Sequence, residues 1–308
     1  MGRVVPRYEA IYRVTTLARP LDPSWRTNRA VLVLMPLGAI ISGVVAWWVA
    51  GVDEITTLWA AVSGAAVVLG AWALGRELAP DDERAAFFAM TLGFGSFLMV
   101  SNASLLLLFT GLTLSRLVAR TVGLPPTMLD RFAALAVAGA AAVATRSPDI
   151  WLVAALALGI DARLGGGPPD ATRPDGARRA PTRQLGFVAL AVACTVVHAG
   201  LLVAFPSPGP VTGPWSYSLG SLAWAIPIAA AFLAVIVRTR ALTSVADATG
   251  EPLSARRVRH GMVVVLVLTL RSLLQGDTGA ANSVLLWTTL AGVALSGLGR
   301  DQGTAGRP

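Results

Sequence analysis

From Ala30 to Gly51 the chain runs without a single charged side chain, and 55–75, 185–205 and 219–237 repeat the pattern. A backbone in hydrocarbon must satisfy its own polar groups, and a helix does so at about 1.5 Å per residue. About 20 apolar residues therefore cross a bilayer core of about 30 Å. The four stretches predict four spanning helices. Few other folds can hide so much continuous apolar chain.

Three longer apolar regions are each interrupted once. "SNAS" (101–104) divides 85–120, "TRSPD" (145–149) divides 128–163, and "QGDTGAANS" (275–283) divides 261–299. Read as hairpins, they add six helices. The expected fold is an all-α, polytopic membrane bundle of about ten transmembrane helices. Arms such as 131–145 and 150–163 are short, and eight spans result if one hairpin dips in and returns.

The arginines orient the bundle. All 25 basic side chains are arginine. With both termini in the cytoplasm, 23 of them fall on the inner segments 1–29, 76–84, 116–131, 163–184, 238–260 and 300–308. Only Arg146 and Arg271 lie elsewhere, and the outer loops "GVDE", "SNAS" and "PSPGPVTGPWSYS" hold none. Positive charge stays inside during insertion, so this distribution predicts a cell (inner) membrane protein with cytoplasmic termini. Trp47, Trp48, Trp59, Trp151, Trp215 and Trp287 fall near the expected outer interface, where indole has both apolar and wet neighbours.

Composition agrees. The chain is 55% hydrophobic and 14% charged, against roughly 25% charged in soluble proteins. The net charge of +8 is spread among apolar runs. It forms no basic stripe interleaved with aromatics, which points to anionic lipid headgroups and away from nucleic acid. A single cysteine, Cys194, excludes an internal disulfide and a multi-thiolate metal site. The first apolar run is too long for a signal-peptide core and lacks a cleavage site after it, so it is expected to remain as an anchor.

Two segments flank the expected transmembrane domain of 30–299, and one linker interrupts it. Residues 1–29 form a cytoplasmic or interfacial segment, with a short helix from Arg7 to Arg19 ended by Pro20. The Gly/Pro/Arg-rich stretch 164–184 reads as a cytoplasmic linker, and 300–308 as a disordered tail.

Chemistry concentrates in few places. "RELAPDDER" (76–84) packs two arginines and four carboxylates into a turn. Pro80 breaks a helix and Asp81 or Asp82 can cap the next. Alternatively, Asp81, Asp82 and Glu83 hold Mg²⁺ against a diphosphate, since hard cations take clustered oxygens. Arg116 and Arg120, one helical turn apart, share a face and can hold phosphate oxygens. Otherwise they snorkel to lipid phosphate while Asp130, ten residues on, pairs with an arginine. Arg271 sits inside an apolar run, where charge is costly and marks function unless it reaches water, Asp277 or Asp149. His198 lies within a span, as a substrate contact or a hydrogen-bonded packing residue. No Asp or Glu falls mid-span, which argues against a proton pump built on buried carboxylates. Neither a P-loop nor a zinc-type Cys/His spacing is present, and no cofactor is implied outside the Mg²⁺ reading.

Three functions follow. A small secondary carrier or flippase-like permeator of a neutral or lipidic solute suits the helix number and small loops. Drug/metabolite-type carriers share that size and topology, without a shared motif. A transferase acting on a prenyl or lipid diphosphate at the cytoplasmic face is the second reading. Intramembrane prenyltransferases carry acidic loops after their second and sixth helices, and this chain has polar loops in those places, but their N-D-x-x-D-type signature is missing: 76–84 has no asparagine and Asp161, Asp170 and Asp175 are scattered. The third reading is an accessory membrane subunit without a site of its own.

Overall fold

The structure, a computed structural model, describes residues 9–100, 103–165, 181–205 and 219–298. Most of the expected linker, the outer loop at 206–218 with Trp215, part of "SNAS" and the tail lie outside the described residues. The regular structure of the described chain is helical, apart from one isolated antiparallel bridge, Val245 to Pro252.

The uninterrupted apolar stretches become α2 (Arg26–Val44, continued by a π turn over Val45–Val49), α3 (Glu54–Leu78), α8 (Pro181–Ala204) and α9 (Leu219–Arg238), the short α1 (Glu9–Val14) preceding them. Two interrupted regions split where their polar residues fall. They give α4 (Glu83–Met99) with α5 (Leu105–Ala119), and α6 (Met128–Ala144) with α7 (Asp149–Leu164).

The third region departs from the hairpin expectation. Helix α10 (Ala255–Leu270) tightens into a 3₁₀ turn over Arg271–Gln275, then continues as α11 (Gly276–Asn282) before α12 (Val284–Leu298). Gly276 takes the left-handed φ of 65° that this junction requires. "QGDTGAANS" is thus mostly helix, because Gly279 and Ala280 are small enough to bury there.

Among the described residues, five helical stretches are long and apolar enough to cross a membrane: Arg26–Val49, Glu54–Leu78, Leu185–Ala204, Ser221–Arg238 and Ala255–Asn282. Helices α4 to α7 and α12, at 15 to 17 residues, reach only about 22–26 Å at helical rise. The outward faces are greasy. On α2, Val33 and Ile40 are 68% and 62% exposed; on α8, Val196 and Val203 are 68% and 83% exposed. Apolar surface of this extent on long helices is the mark of a lipid-facing wall. The chain is compatible with a helical membrane protein.

Two compact units share the chain. One comprises residues 1–19, 113–212 and 239–268, the other 20–112, 213–238 and 269–308. In the second, α12 packs on α4, α9 and α3, and α3 packs on α2 and α4. Small residues set these spacings, as the Ala/Gly-rich runs predict. A Cβ on Gly292 of α12 would lie 2.6 Å from Ala89 Cα, and one on Gly75 of α3 only 2.9 Å from Ala86 Cα. In the first unit α7 packs on α6 and α8, and Phe132 meets Phe187 edge-on at 5.0 Å.

The N-terminal helix is shorter than expected, ending at Val14, and it docks on protein. Tyr12 is buried against Val122 and Ala248, and Leu17 is buried as well. The consecutive β-branched residues Val14, Thr15 and Thr16 favour leaving the helix. Asp130 then takes the backbone N–H of Thr16.

Candidate functional site

Helix α7 ends on an acid. Asp161 lies in its last turn, where the helix dipole favours a cation and disfavours a carboxylate. Its side chain is 1% exposed and three arginines surround it. Arg120 donates from Nε and Nη2 to Oδ1 at 2.9 and 2.6 Å. Arg131 of α6 reaches Oδ2 at 3.4 Å, and Arg257 of α10 reaches Oδ1 at 3.5 Å.

Arg257 does more than approach the carboxylate. It donates to the carbonyls of Leu164 at 3.2 Å and Gly165 at 2.5 Å, which end α7, and to that of Val118 at 3.3 Å. Its cation thus satisfies orphan carbonyls at two helix ends. Three guanidinium groups at 6%, 9% and 13% exposure share one carboxylate. That leaves two positive charges in excess in a mostly buried centre.

Arg116 and Arg120 do not share a helix face. Helix α5 stops at Ala119, and Arg120 takes a left-handed φ of 51°. Its amide still donates to Arg116 O at 2.9 Å, but its side chain leaves the helix for Asp161. Arg116 instead donates to Leu17 O at 2.7 Å.

Asp130 does not pair with an arginine. It accepts from the hydroxyls of Thr15 at 2.5 Å and Thr16 at 2.8 Å, and from the Thr16 amide at 3.0 Å. It also closes a capping box with Thr127 at the start of α6. Burial disfavours the charged form, but the hydrogen bonds from Thr15, Thr127 and Thr16 outweigh it and hold the carboxyl below its ordinary range.

In the acidic turn, Asp82 is the N-cap of α4. It accepts from Arg84 N at 3.1 Å and from Ser296 Oγ of α12 at 2.6 Å, and it is buried. Asp81 is half-buried and Glu83 exposed. Among the described residues no three His, Cys, Asp or Glu side chains gather as metal ligands. Asp81, Asp82 and Glu83 therefore do not form a Mg²⁺ cage in this arrangement.

Arg271 opens the 3₁₀ turn and is 6% exposed. Around the turn, Ser272 Oγ donates to Thr269 O at 2.6 Å and accepts from Trp287 Nε1 at 3.3 Å. Trp224 meets Trp287 edge-on at 5.2 Å, and Ser221 Oγ donates to Asp277 at 2.5 Å. Trp287 is fully buried, whereas Trp47, Trp48 and Trp59 are exposed. His198 is half-buried on α8, and its Nδ1 makes no hydrogen bond among the described residues, so the packing role expected of it lacks that partner.

Asp161, Arg131 and Arg257 escape a reading by local pattern, because their contacts join residues 30 to 96 positions apart. One signal points to the centre: an acid in a helix's last turn, against the dipole, needs cations from elsewhere. Comparison with family models, curated proteins and solved structures finds no match to this chain.

Proposed function

We propose that the chain is a multi-pass membrane protein, with about ten helices crossing the cell membrane and both termini in the cytoplasm, that moves a neutral or lipidic solute across the bilayer. The observation that carries this reading is the loss of α-helical geometry at Arg271. Helices interrupted at membrane depth, with a buried charge at the break, are how carriers build solute sites from backbone and side chain together. Arg271 contacts the solute; Ser272, Trp287 and Trp224 hold the turn.

Reconstitution with NBD-labelled phosphatidylethanolamine tests the lipidic case. Dithionite is expected to bleach the label far beyond half in wild-type proteoliposomes. Arg271→Ala, inserting and melting as wild type, is expected to slow this at least tenfold, about 1.4 kcal/mol of barrier. Wild-type movement no faster than in protein-free liposomes overturns the lipidic-carrier reading.

The transferase alternative keeps one supporting observation, the excess positive charge around Asp161, which suits a diphosphate. It loses the acidic metal set, since Asp82 is engaged by Ser296 and by α4. Mg²⁺-dependent diphosphate release from farnesyl diphosphate, abolished in Asp81→Ala/Asp82→Ala, would favour it over the carrier. Indifference of every variant in both assays would favour the accessory subunit.

A further inference from the structure

Beside the Asp161 centre, within the same unit, lies a cleft of about 310 Å³ lined by Ile160, Arg163, Leu164, Arg256 and His260. Its volume is at the lower end of small-molecule sites, which span about 300–1,000 Å³. On α7, Ile160, Arg163 and Leu164 stand at i, i+3 and i+4; on α10, Arg256 and His260 stand at i and i+4. Each set shares a helix face. Two apolar side chains and two guanidinium groups thus line one cleft.

We propose that this cleft binds a phosphate group carried by, or lying next to, an apolar chain. Among the described residues neither Arg163 nor Arg256 pairs with a carboxylate. The next residue on α10, Arg257, belongs to a centre in which three arginines share Asp161. In that centre positive charge exceeds negative, and a buried excess of this kind is costly without an anion nearby; the exposed Arg163 and Arg256 add two more positive charges beside it. Arginine's fork matches phosphate oxygens in pairs, which a single carboxylate cannot saturate. Ile160 and Leu164 give the ligand an apolar neighbour as well.

His260 refines the chemistry. Its Nδ1 lies 2.6 Å from the Arg256 carbonyl oxygen, so Nδ1 carries the proton and donates. That bond fixes the ring beside Arg256 and leaves Nε2 for a further partner. The site needs no transport, so its failure and the failure of the carrier reading are separate outcomes.

Native mass spectrometry of the full-length chain in detergent, titrated with phosphatidic acid, phosphatidylcholine or inorganic phosphate, reads the site. Wild type is expected to prefer phosphatidic acid over phosphatidylcholine by at least tenfold. Arg163→Gln/Arg256→Gln, both at exposed positions, is expected to weaken phosphatidic acid binding roughly 10- to 30-fold. Arg256→Gln alone is expected to weaken it about fivefold, and exposed Arg84→Gln not at all. Displacement by millimolar inorganic phosphate assigns the phosphate group itself as the ligand; persistence of bound phosphatidic acid assigns the lipid. Equal binding of the two lipids, or a double variant that binds as wild type does, overturns the proposal.

Discussion

Asp161→Ala is expected to be the most damaging single substitution in this chain, costing about 3–5 kcal/mol. It leaves three guanidinium groups, at 6%, 9% and 13% exposure, facing one another without a counter-charge. Thermal unfolding in detergent should show a melting temperature lower by on the order of 10 °C. Removing a cation should do far less. Arg131 touches the carboxylate at 3.4 Å and repels two other arginines, so Arg131→Gln is expected to change stability by less than about 1 kcal/mol, with either sign. Equal losses for the two variants would mean that the charges are compensated by groups other than Asp161.

Asp130→Ala is the second large effect. The carboxylate holds residues 15–16 through both threonine hydroxyls and the Thr16 amide. Hydrogen bonds to a charged acceptor contribute about 1.5–3 kcal/mol each, and several sharing one carboxylate fall short of their sum. Loss of about 3 kcal/mol should speed amide hydrogen exchange over residues 12–17 by on the order of 100-fold. Arg116, which donates to Leu17 O, should keep the rest of the unit protected. The same bond set predicts a pH response. The folded-state value of Asp130 is depressed, so its contribution is complete above the unfolded carboxyl value near about 3.9. It is lost as pH falls through the lower, folded value. The N-terminal segment should therefore stay docked between pH 5 and 8 and release only in stronger acid; release near neutrality would contradict the assignment.

Helix positions were legible because apolar length and charge spacing are local properties of the chain. The stretches 30–51 and 55–75 and the breaks at "SNAS" and "TRSPD" show this directly. The break at Arg271 was legible only as a charge inside an apolar run. That the chain stays helical beyond it depends on Gly276 and on how closely Gly279 packs. The charge centres were not legible, since they are long-range. Asp130 reads as a partner for an arginine until Thr15 and Thr16, 114 and more residues away, bring three donors to it. Arg120 reads as one helical turn from Arg116 until the left-handed φ turns it away. In both cases the side chain goes to a partner distant in sequence, the two threonines for Asp130 and Asp161 for Arg120.

The sidedness of the chain is tested most directly by single cysteines in a Cys194→Ser background. Glu54→Cys replaces the last residue of "GVDE", and Glu251→Cys lies in the arginine-bearing segment 238–260; both positions are exposed. A membrane-impermeant maleimide added to intact cells should label Glu54→Cys and spare Glu251→Cys until the membrane is opened. Labelling of Glu251→Cys from outside, or of both sites alike in a chain that stays in solution without detergent, would contradict a bundle threaded through lipid with its arginines facing the cytoplasm.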